Sequence, residues 1–221
     1  MANPTIDLML SLIRAQVIGD LSVITDNNPT EDVLADIYSL SNMHDISHMV
    51  CASLEKAKIP MSEELKAAYT KTFQRAIFRY ANQANVYDEI YKLFETEKIP
   101  YLPLKGSVIR VLYPSPELRA ACDIDILVHE EDLDRAQALL IEKLGFERTG
   151  KCFHDVSLYL GSVHLELHYN IKEDGPRLDS LLSRVWEFVS PCENSYRCKM
   201  TDEFFAFHIV AHTCYHFLHG G

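Results

Sequence analysis

The stretch that decides the fold is Asp-Ile-Asp-Ile-Leu-Val at residues 123–128. Polar and apolar residues alternate along its first half, which predicts a β-strand with one face in the core. Residues two apart in a strand share a face, so Asp123 and Asp125 point the same way. The pair repels unless a cation lies between the carboxylates, and oxygen ligands of this kind suit Mg²⁺. A solvated strand face is the simpler interpretation of a bare Asp-x-Asp. The choice between that interpretation and a metal site therefore depends on the neighbouring segments.

The segment before this strand contains a turn that suits a phosphate group. Residues 99–104 are expected to be short and extended because of their two prolines. Lys105, Gly106 and Ser107 then open a short helical stretch, where glycine permits close approach of the backbone and the first N–H groups favour an anion. Lys105 and Arg119 either compensate phosphate charge or have simple surface roles. The P-loop and dinucleotide-binding glycine motifs are both missing from the sequence.

The residues after the Asp-x-Asp strand predict a helix and then a hairpin. Residues 130–144 have a helical apolar stripe that ends at Gly145, a residue suited to the left-handed cap. Two strands are expected at 153–160 and 163–170. The two residues between them, Gly161-Ser162, suit a type II′ turn.

That turn fixes which side chains face each other across the hairpin. Ser157 is expected opposite Glu166, and Asp155 opposite His168, which creates a polar face on an otherwise apolar pair of strands. Glu166 is the preferred third carboxylate of the site. Asp155 is the alternative.

The remaining sequence is predominantly helical in its pattern. The predicted N-terminal helices are 5–19, 31–41, 44–57 and 62–97, of which the last is long enough that we expect it to break or bend. The chain therefore divides into a helical N-terminal region at 1–98, a core at 99–175 and a C-terminal helical region at 176–221, with an excursion at Cys192–Cys198. The abrupt His-Phe-Leu-His-Gly-Gly ending marks either a helix end or a truncation. The fold class is α+β, with a small mixed β-sheet and flanking helices.

Three histidines recur at helical spacing in the last segment. His208, His212 and His216 fall on one face of the expected helix, among many aromatic and aliphatic residues. Packing within the protein or against a partner is the favoured interpretation. Binding of the nucleotide or acceptor is second, and zinc is third because no His-Glu-x-x-His motif accompanies them.

Composition narrows the possible partners. The chain of 221 residues has 32 acidic and 21 basic side chains, a net charge of -11, which disfavours extended binding to bulk nucleic acid. The first twenty residues lack the basic start of a targeting signal, and no apolar run is long enough for a membrane span. We therefore expect a cytoplasmic protein that does not bind membranes, with its six scattered cysteines as free thiols.

Five segments, taken in order along the chain, carry a resemblance to a known family. They are Leu-Lys-Gly-Ser at 104–107, Leu-Tyr-Pro at 112–114, Arg119 ahead of the strand at 123–128, the segment 132–145, and Glu-Leu-His-Tyr at 166–169. Together they resemble a largely uncharacterised bacterial nucleotidyltransferase family within the polymerase-beta-like superfamily. In that superfamily a Gly-Ser or Gly-Gly turn precedes an Asp-x-Asp strand, and a later strand supplies a third acid. Lys105 stands where better-known members have glycine.

The resemblance implies a role for each residue of the site. Gly106 and Ser107 would hold the triphosphate of an NTP, with ATP among the candidates. Asp123 and Asp125 would bind two Mg²⁺ ions, and Glu166 would complete one site and help to activate the attacking hydroxyl. The acceptor would be a small molecule, a tRNA end or a protein.

Two other functions remain open at this point. One is a non-catalytic nucleotide-binding module on the same fold, acting as a sensor or partner protein. The other is a metal-dependent phosphohydrolase that uses the C-terminal histidines.

Overall fold

The computed structural model describes residues 3–26, 28–173 and 176–219, and the chain divides into two compact units. The first unit comprises residues 1–82 and 109–120, and the second comprises residues 83–108 and 121–221. The functional division expected at 98/99 and 175/176 stays a prediction. Residues 174, 175, 220 and 221, where the sequence suggested a boundary and a helix end, lie outside the described residues.

The first unit is helical, as expected. Its helices are α1 (Pro4–Ile18), α2 (Glu31–Met43), α3 (Ser47–Ala57) and the first part of α4 (Glu63–Glu97). Side-chain caps fix two of the starts. The Thr30 hydroxyl accepts the N–H of Val33, and the Ser62 hydroxyl accepts the N–H of Leu65, so each satisfies a backbone donor that has no partner within its helix.

Helix α4 continues without interruption over 35 residues, so it does not break. No glycine or proline occurs between Glu63 and Glu97, which removes the usual causes of an interruption. The helix ends where Lys98 adopts a left-handed conformation with φ of 56°, and the N–H of Ile99 returns to the carbonyl of Phe94 at 2.9 Å.

The second unit contains a five-stranded mixed sheet, which confirms the α+β class. Its strands are β1 (Tyr101–Pro103), β2 (Asp123–Val128), β3 (Glu147–Lys151), β4 (Asp155–Leu160) and β5 (Val163–His168), in the spatial order β1-β2-β5-β4-β3. Strands β2 and β5 are parallel, and every other pair is antiparallel. Helix α5 (Lys105–Ile109) joins β1 to the segment before β2, and α6 (Leu133–Leu144) follows β2.

The hairpin register predicted from the sequence is confirmed. Leu160 pairs with Val163, Ser157 with Glu166, and Asp155 with His168. At the turn, Gly161 has a φ of 59° whereas Ser162 does not have a positive φ, as a type II′ turn requires.

Strand β3 was not predicted. Residues 147–151 are Glu-Arg-Thr-Gly-Lys, and four of the five side chains are exposed because the strand lies at the edge of the sheet. A strand with no buried face lacks the alternation of polar and apolar residues that a sequence pattern detects. Its charged residues are typical of an edge protected from further pairing.

The C-terminal segment is less uniformly helical than expected. Helices α7 (Pro176–Leu182) and α8 (Asp202–His219) flank a small hairpin of β6 (Val189–Pro191) and β7 (Cys198–Met200). The expected excursion at Cys192–Cys198 covers the loop of this hairpin and the first residue of β7. All six cysteines, each in the described part of the chain, are free thiols, as predicted.

Two apolar clusters enclose the sheet. On one face, apolar residues of β2, β4 and β5 pack with the end of α4 and the stripe of α6. This cluster includes Ile90, Phe94, Ile124, Ile126, Leu133, Ala136, Leu140, Val156, Leu158, Leu165 and Leu167. Each fully buried large aliphatic side chain contributes on the order of 2 kcal/mol. On the other face, Leu127 packs with the C-terminal elements, including Phe204 of α8. Helix α8 thus belongs to the same unit as the face that carries the carboxylates.

Candidate active site

Alternation along β2 and β5 separates an apolar face from a polar one. Ile124 and Ile126 are buried in the core, whereas Asp123 and Asp125 share the opposite face with Glu166 and His168. The parallel register places Asp125 directly beside Glu166. The three carboxylates predicted from the sequence are therefore brought together on one face of the sheet.

Asp125 is the most buried of these carboxylates, with a side chain that is 6% exposed. The Lys105 ammonium donates to its Oδ1 at 3.2 Å, and Nε2 of His168 lies 3.0 Å from the same oxygen. Burial alone would raise the pKa of Asp125, but the His168 hydrogen bond and the Lys105 charge hold it well below its usual range. Asp125 is therefore a permanent anion held between two cationic groups.

His168 is held by acidic groups in turn. Burial lowers its pKa, but hydrogen bonds to Asp125 and Glu166 outweigh burial and raise the pKa to about 9. Its Nε2 lies 3.4 Å from Oε2 of Glu166. At neutral pH the imidazolium therefore offsets part of the negative charge of the carboxylates.

Asp123 has the opposite shift from Asp125. Its pKa is raised first by burial and then by the negative charges of Asp125 and Glu166. Lys105 and His164 lower it by less. Such crowding favours uptake of a cation, because a cation relieves both the repulsion and the cost of burying charge.

The turn before β2 carries backbone strain at Lys105. Its φ is 36°, in the left-handed region that glycine tolerates and other residues avoid. The N–H of Leu104 donates to the carbonyl of Asp125 at 3.0 Å and fixes the turn against β2. Holding Lys105 in this conformation brings its ammonium to Asp125.

The structure places the other predicted phosphate ligands, Gly106, Ser107 and Arg119, in different surroundings. Gly106 is buried at the start of α5, and the N–H of Ser107 already donates to the carbonyl of Leu104 at 3.2 Å. Arg119 belongs to the first unit, where its guanidinium donates to the carbonyl of Ala120. The roles of Gly106, Ser107 and Arg119 in phosphate binding stay predictions.

A cleft of about 210 Å³ lies over the polar face within the second unit. Its walls come from the sheet, the segment after β5 and helix α8. It is lined by Lys105, Asp123, His154, Glu166, His168, Ile171, Lys172, Glu173, His208, His212, Tyr215 and His216. His208, His212 and His216 of α8 therefore face the same space as the carboxylates, in addition to packing within the protein.

His208, His212 and His216 each have different surroundings. His208 is 1% exposed, and burial lowers its pKa to about 4. His212 lies with Nδ1 2.6 Å from Oε1 of Glu173, whose pKa is lowered by this contact despite partial burial. His216 packs its ring edge-to-face against that of His212 at 4.4 Å. Within the described residues, no group of three metal-ligand side chains includes any of them.

The residues of the polar face fit a divalent cation. Asp125, Glu166 and His168 offer ligand atoms within 4.8 Å of one another, and so do Asp123, His164 and Glu166. Glu166 is common to both groups. Asp155, the alternative third carboxylate, instead lies with Oδ2 2.9 Å from Nε2 of His154.

Sequence reasoning did not identify His168, His154 or Glu173 as functional candidates. The Glu-x-His spacing at Glu166 and His168 is a local signal for His168 alone, because it puts both side chains on the carboxylate face. Glu173 becomes adjacent to His212 only through folding, across a separation of 39 residues.

Comparison with known proteins identifies the family. The sequence model of a family described as uncharacterised nucleotidyltransferase matches residues 32–221. The match covers most of the chain, so the protein belongs to this nucleotidyltransferase family, which confirms the family inferred from the sequence. No curated protein and no solved structure gives a significant match. Among the helices in the described residues, none is long and apolar enough to cross a membrane.

Proposed function

We propose that the protein transfers a nucleoside monophosphate from a nucleoside triphosphate to a hydroxyl or phosphate of an acceptor, with Mg²⁺ as the required ion. The observation that carries this proposal is the face shared by β2 and β5. Asp123 and Glu166 line a cleft there, and Asp125 lies buried beside Glu166, next to the ammonium of Lys105.

Asp123, Asp125 and Glu166 would hold two Mg²⁺ ions, since carboxylate oxygens are the ligands that this ion prefers. Bound Mg²⁺ supplies charge neutralisation at the reacting phosphate and the departing pyrophosphate. The shared neighbourhood of Glu166 and Asp125 favours Glu166 over Asp155 as the third carboxylate.

The side chains around the carboxylates orient them and offset their negative charge. Lys105 and His168 position the Asp125 carboxylate through bonds to one of its oxygens. Glu166 is half-buried and lines the cleft, where it can accept the proton of an attacking hydroxyl. Gly106, Ser107 and Arg119 are the candidates for the remaining phosphate contacts.

The acceptor is best sought among small molecules, tRNA ends and protein side chains. The net charge of -11 disfavours a long phosphate backbone along the surface. The helix α8 side of the cleft offers Tyr215 and several imidazoles to such an acceptor.

The proposal can be tested by calorimetric titration of each of the four NTPs, with Mg²⁺ and with EDTA. We expect one or more NTPs to bind only with Mg²⁺, and Asp123→Asn/Asp125→Asn to weaken that binding by about 100-fold or more because two anionic ligands are removed. Asp134→Asn, an exposed aspartate on α6, is the matched control and should bind as the unmodified protein does. A folded protein that binds none of the NTPs, or a double variant that binds them unchanged, would contradict the proposal.

A second assay separates an enzyme from a non-catalytic nucleotide-binding module. Transfer of label from an α-labelled NTP, with equimolar release of pyrophosphate, is expected of the enzyme. Magnesium-dependent binding without pyrophosphate release across a broad acceptor panel would favour the module instead.

A further inference from the structure

A second group of possible ligands lies beside the carboxylates, at the start of β4. Asp155 pairs with His168 across the β4–β5 ladder, and His154 immediately precedes that strand. The backbone holds this corner in place. The carbonyl of His154 accepts the N–H of Tyr169 at 3.0 Å, and the carbonyl of Asp155 accepts the N–H of Cys152 at 2.8 Å.

The three side chains of this corner converge. Nε2 of His154 lies 2.9 Å from Oδ2 of Asp155, and the rings of His154 and His168 lie nearly parallel, with their centroids 5.5 Å apart. One ligand atom from each of His154, Asp155 and His168 lies within 4.8 Å of the other two. Asp155 and His168 are almost fully buried, at 4% and 3% exposure, so their positions are fixed by packing.

Two ring nitrogens of the group have unmet hydrogen-bonding capacity. Nδ1 of His154 and Nδ1 of His168 are both buried, and neither has a hydrogen-bond partner anywhere in the described residues. A buried polar nitrogen without a partner costs on the order of 1–3 kcal/mol. The Asp155 carboxylate lies beside the other nitrogen of His154, so a metal ion could take one ring nitrogen from each histidine and a carboxylate oxygen. Binding of the ion would replace the proton that His168 carries in the absence of metal.

We propose that His154, Asp155 and His168 form a second cation site, selective for a borderline transition-metal ion of the Zn²⁺ class. Imidazole nitrogens suit such ions, whereas Mg²⁺ prefers a shell of oxygens. The carboxylates around Asp123 therefore select one kind of ion and this corner another.

The surroundings of the group match those of metal-binding histidines. The second ring nitrogen of His168 contacts the Asp125 carboxylate, as a metal-ligating histidine commonly contacts an outer carboxylate. Phe153 packs edge-to-face on His154 with centroids 4.3 Å apart and restricts the orientation of that ring.

Three protein ligands leave one position of a tetrahedral ion open. His154 and His168 both line the cleft, so the open position would face the space where substrates bind. A water or an acceptor oxygen there would be polarised by the ion. The proposal does not depend on nucleotidyl transfer, because it concerns binding of the metal itself.

The test uses the full chain after removal of metals with a chelator, titrated with Co²⁺ as a spectroscopic probe and then with Zn²⁺ as competitor. We expect one equivalent of Co²⁺ to give the visible absorption of a four-coordinate ion, and Zn²⁺ to displace it. His154→Gln and, separately, the isosteric Asp155→Asn should each weaken Co²⁺ binding by about tenfold or more. Circular dichroism establishes that each variant is folded, and the two substitutions provide independent tests.

Three controls separate this site from others. His129→Gln changes a histidine that stacks on Trp186 with centroids 3.7 Å apart and belongs to none of the three possible ligand groups, so it should leave Co²⁺ binding unchanged. Asp123→Asn should also leave it unchanged, although it disrupts the nucleotide site. Cys152→Ser tests whether the nearby exposed thiol holds the ion instead.

Several results would overturn the proposal. These are the absence of a four-coordinate Co²⁺ spectrum, equal binding by the unmodified protein and folded His154→Gln, and loss of binding in Cys152→Ser or Asp123→Asn. Loss of NTP binding in Asp123→Asn with Co²⁺ binding intact would support both sites separately.

Discussion

Two histidines of the second unit are equally buried and yet have opposite electrostatic properties. His168 on β5 is 3% exposed and His208 on α8 is 1% exposed. The pKa of His168 is raised to about 9, whereas that of His208 is lowered to about 4. Burial lowers the pKa of both, so the difference comes from their neighbours.

The neighbours of His168 are carboxylates, and those of His208 are mainly cations and other imidazoles. His168 bonds to Asp125 and Glu166. The charges of Lys105 and His212 lower the pKa of His208 further. Neither ring nitrogen of His208 has a hydrogen-bond partner among the residues described. The cleft therefore has a charged wall on the sheet and a neutral imidazole on the helix at physiological pH. We infer that the sheet wall binds cations and that the helix wall contacts uncharged parts of a substrate.

The largest effect on stability is expected from His168→Leu. The substitution leaves Asp125 buried with one cationic partner fewer, which should lower the free energy of unfolding by about 3 kcal/mol at neutral pH. The pKa of His168 is raised in the fold, so its contribution is complete below about pH 6.5 and disappears as the pH rises through about 9. Urea unfolding across that range should show the two proteins converging at alkaline pH.

His164→Leu is the matched control for that experiment, because His164 lies on the same strand and hydrogen-bonds to the neutral Ser157 hydroxyl, with Asp123 and Glu166 near it but not in the close ion pairs that His168 makes. It should cost much less stability. Equal losses for His164→Leu and His168→Leu would show that the carboxylate contacts of His168 do not stabilise the fold.

The next largest effect is a dependence on acidic pH that originates in His208. Because its pKa is lower in the folded protein than in the unfolded chain, the unfolded chain binds the proton more readily. Stability should therefore be complete above about pH 6.5 and fall as the pH drops towards about 4, by roughly 3 kcal/mol in all. The measurement is urea unfolding with a chelator present, from about pH 7 to about pH 4.5.

His208→Leu should flatten this acidic loss, since the variant has no imidazole to protonate at that position. His216→Leu, on an exposed turn of the same helix, should retain it. An unchanged slope in His208→Leu would mean that other groups cause the acidic loss.

The smallest effect on stability is expected at His164, which contacts the neutral hydroxyl of Ser157. The Ser157 hydroxyl lies 3.2 Å from Nε2 of His164, in a partly exposed contact. Ser157→Ala should lower the free energy of unfolding by about 0.5–1 kcal/mol, as is typical of a single neutral hydrogen bond. If Ser157→Ala lost as much free energy of unfolding as His168→Leu, a charged partner would stabilise the fold no more than a neutral one.

Local patterns were sufficient to predict much of the fold. Strand β2 follows from its alternation, the β4–β5 register from the Gly161-Ser162 turn, and the end of α6 from Gly145, whose φ is 78°. Strand β3 could not be found this way, because its side chains are exposed on an edge. The length of α4 predicts a break or a bend, and the break is wrong because the helix contains no glycine or proline to interrupt it.

The site was predictable in part for the same physical reason. Asp123 and Asp125 share a face by strand geometry alone, but the parallel pairing that puts Glu166 beside Asp125 joins segments about forty residues apart and has no local signature. The proximity of His208 to this face depends in turn on the packing of α8 within the second unit. The structure thus adds His154, His168 and Glu173 to the residues that the sequence predicted.

The most direct test of the proposed active site is a crystal structure of the protein with Mn²⁺ and a non-hydrolysable NTP analogue, with anomalous diffraction to locate the metal. The account predicts anomalous density among Asp123, Asp125 and Glu166, with the triphosphate beside Lys105 in the cleft. Nucleotide and metal bound elsewhere on the protein, with these three carboxylates free of metal, would contradict it.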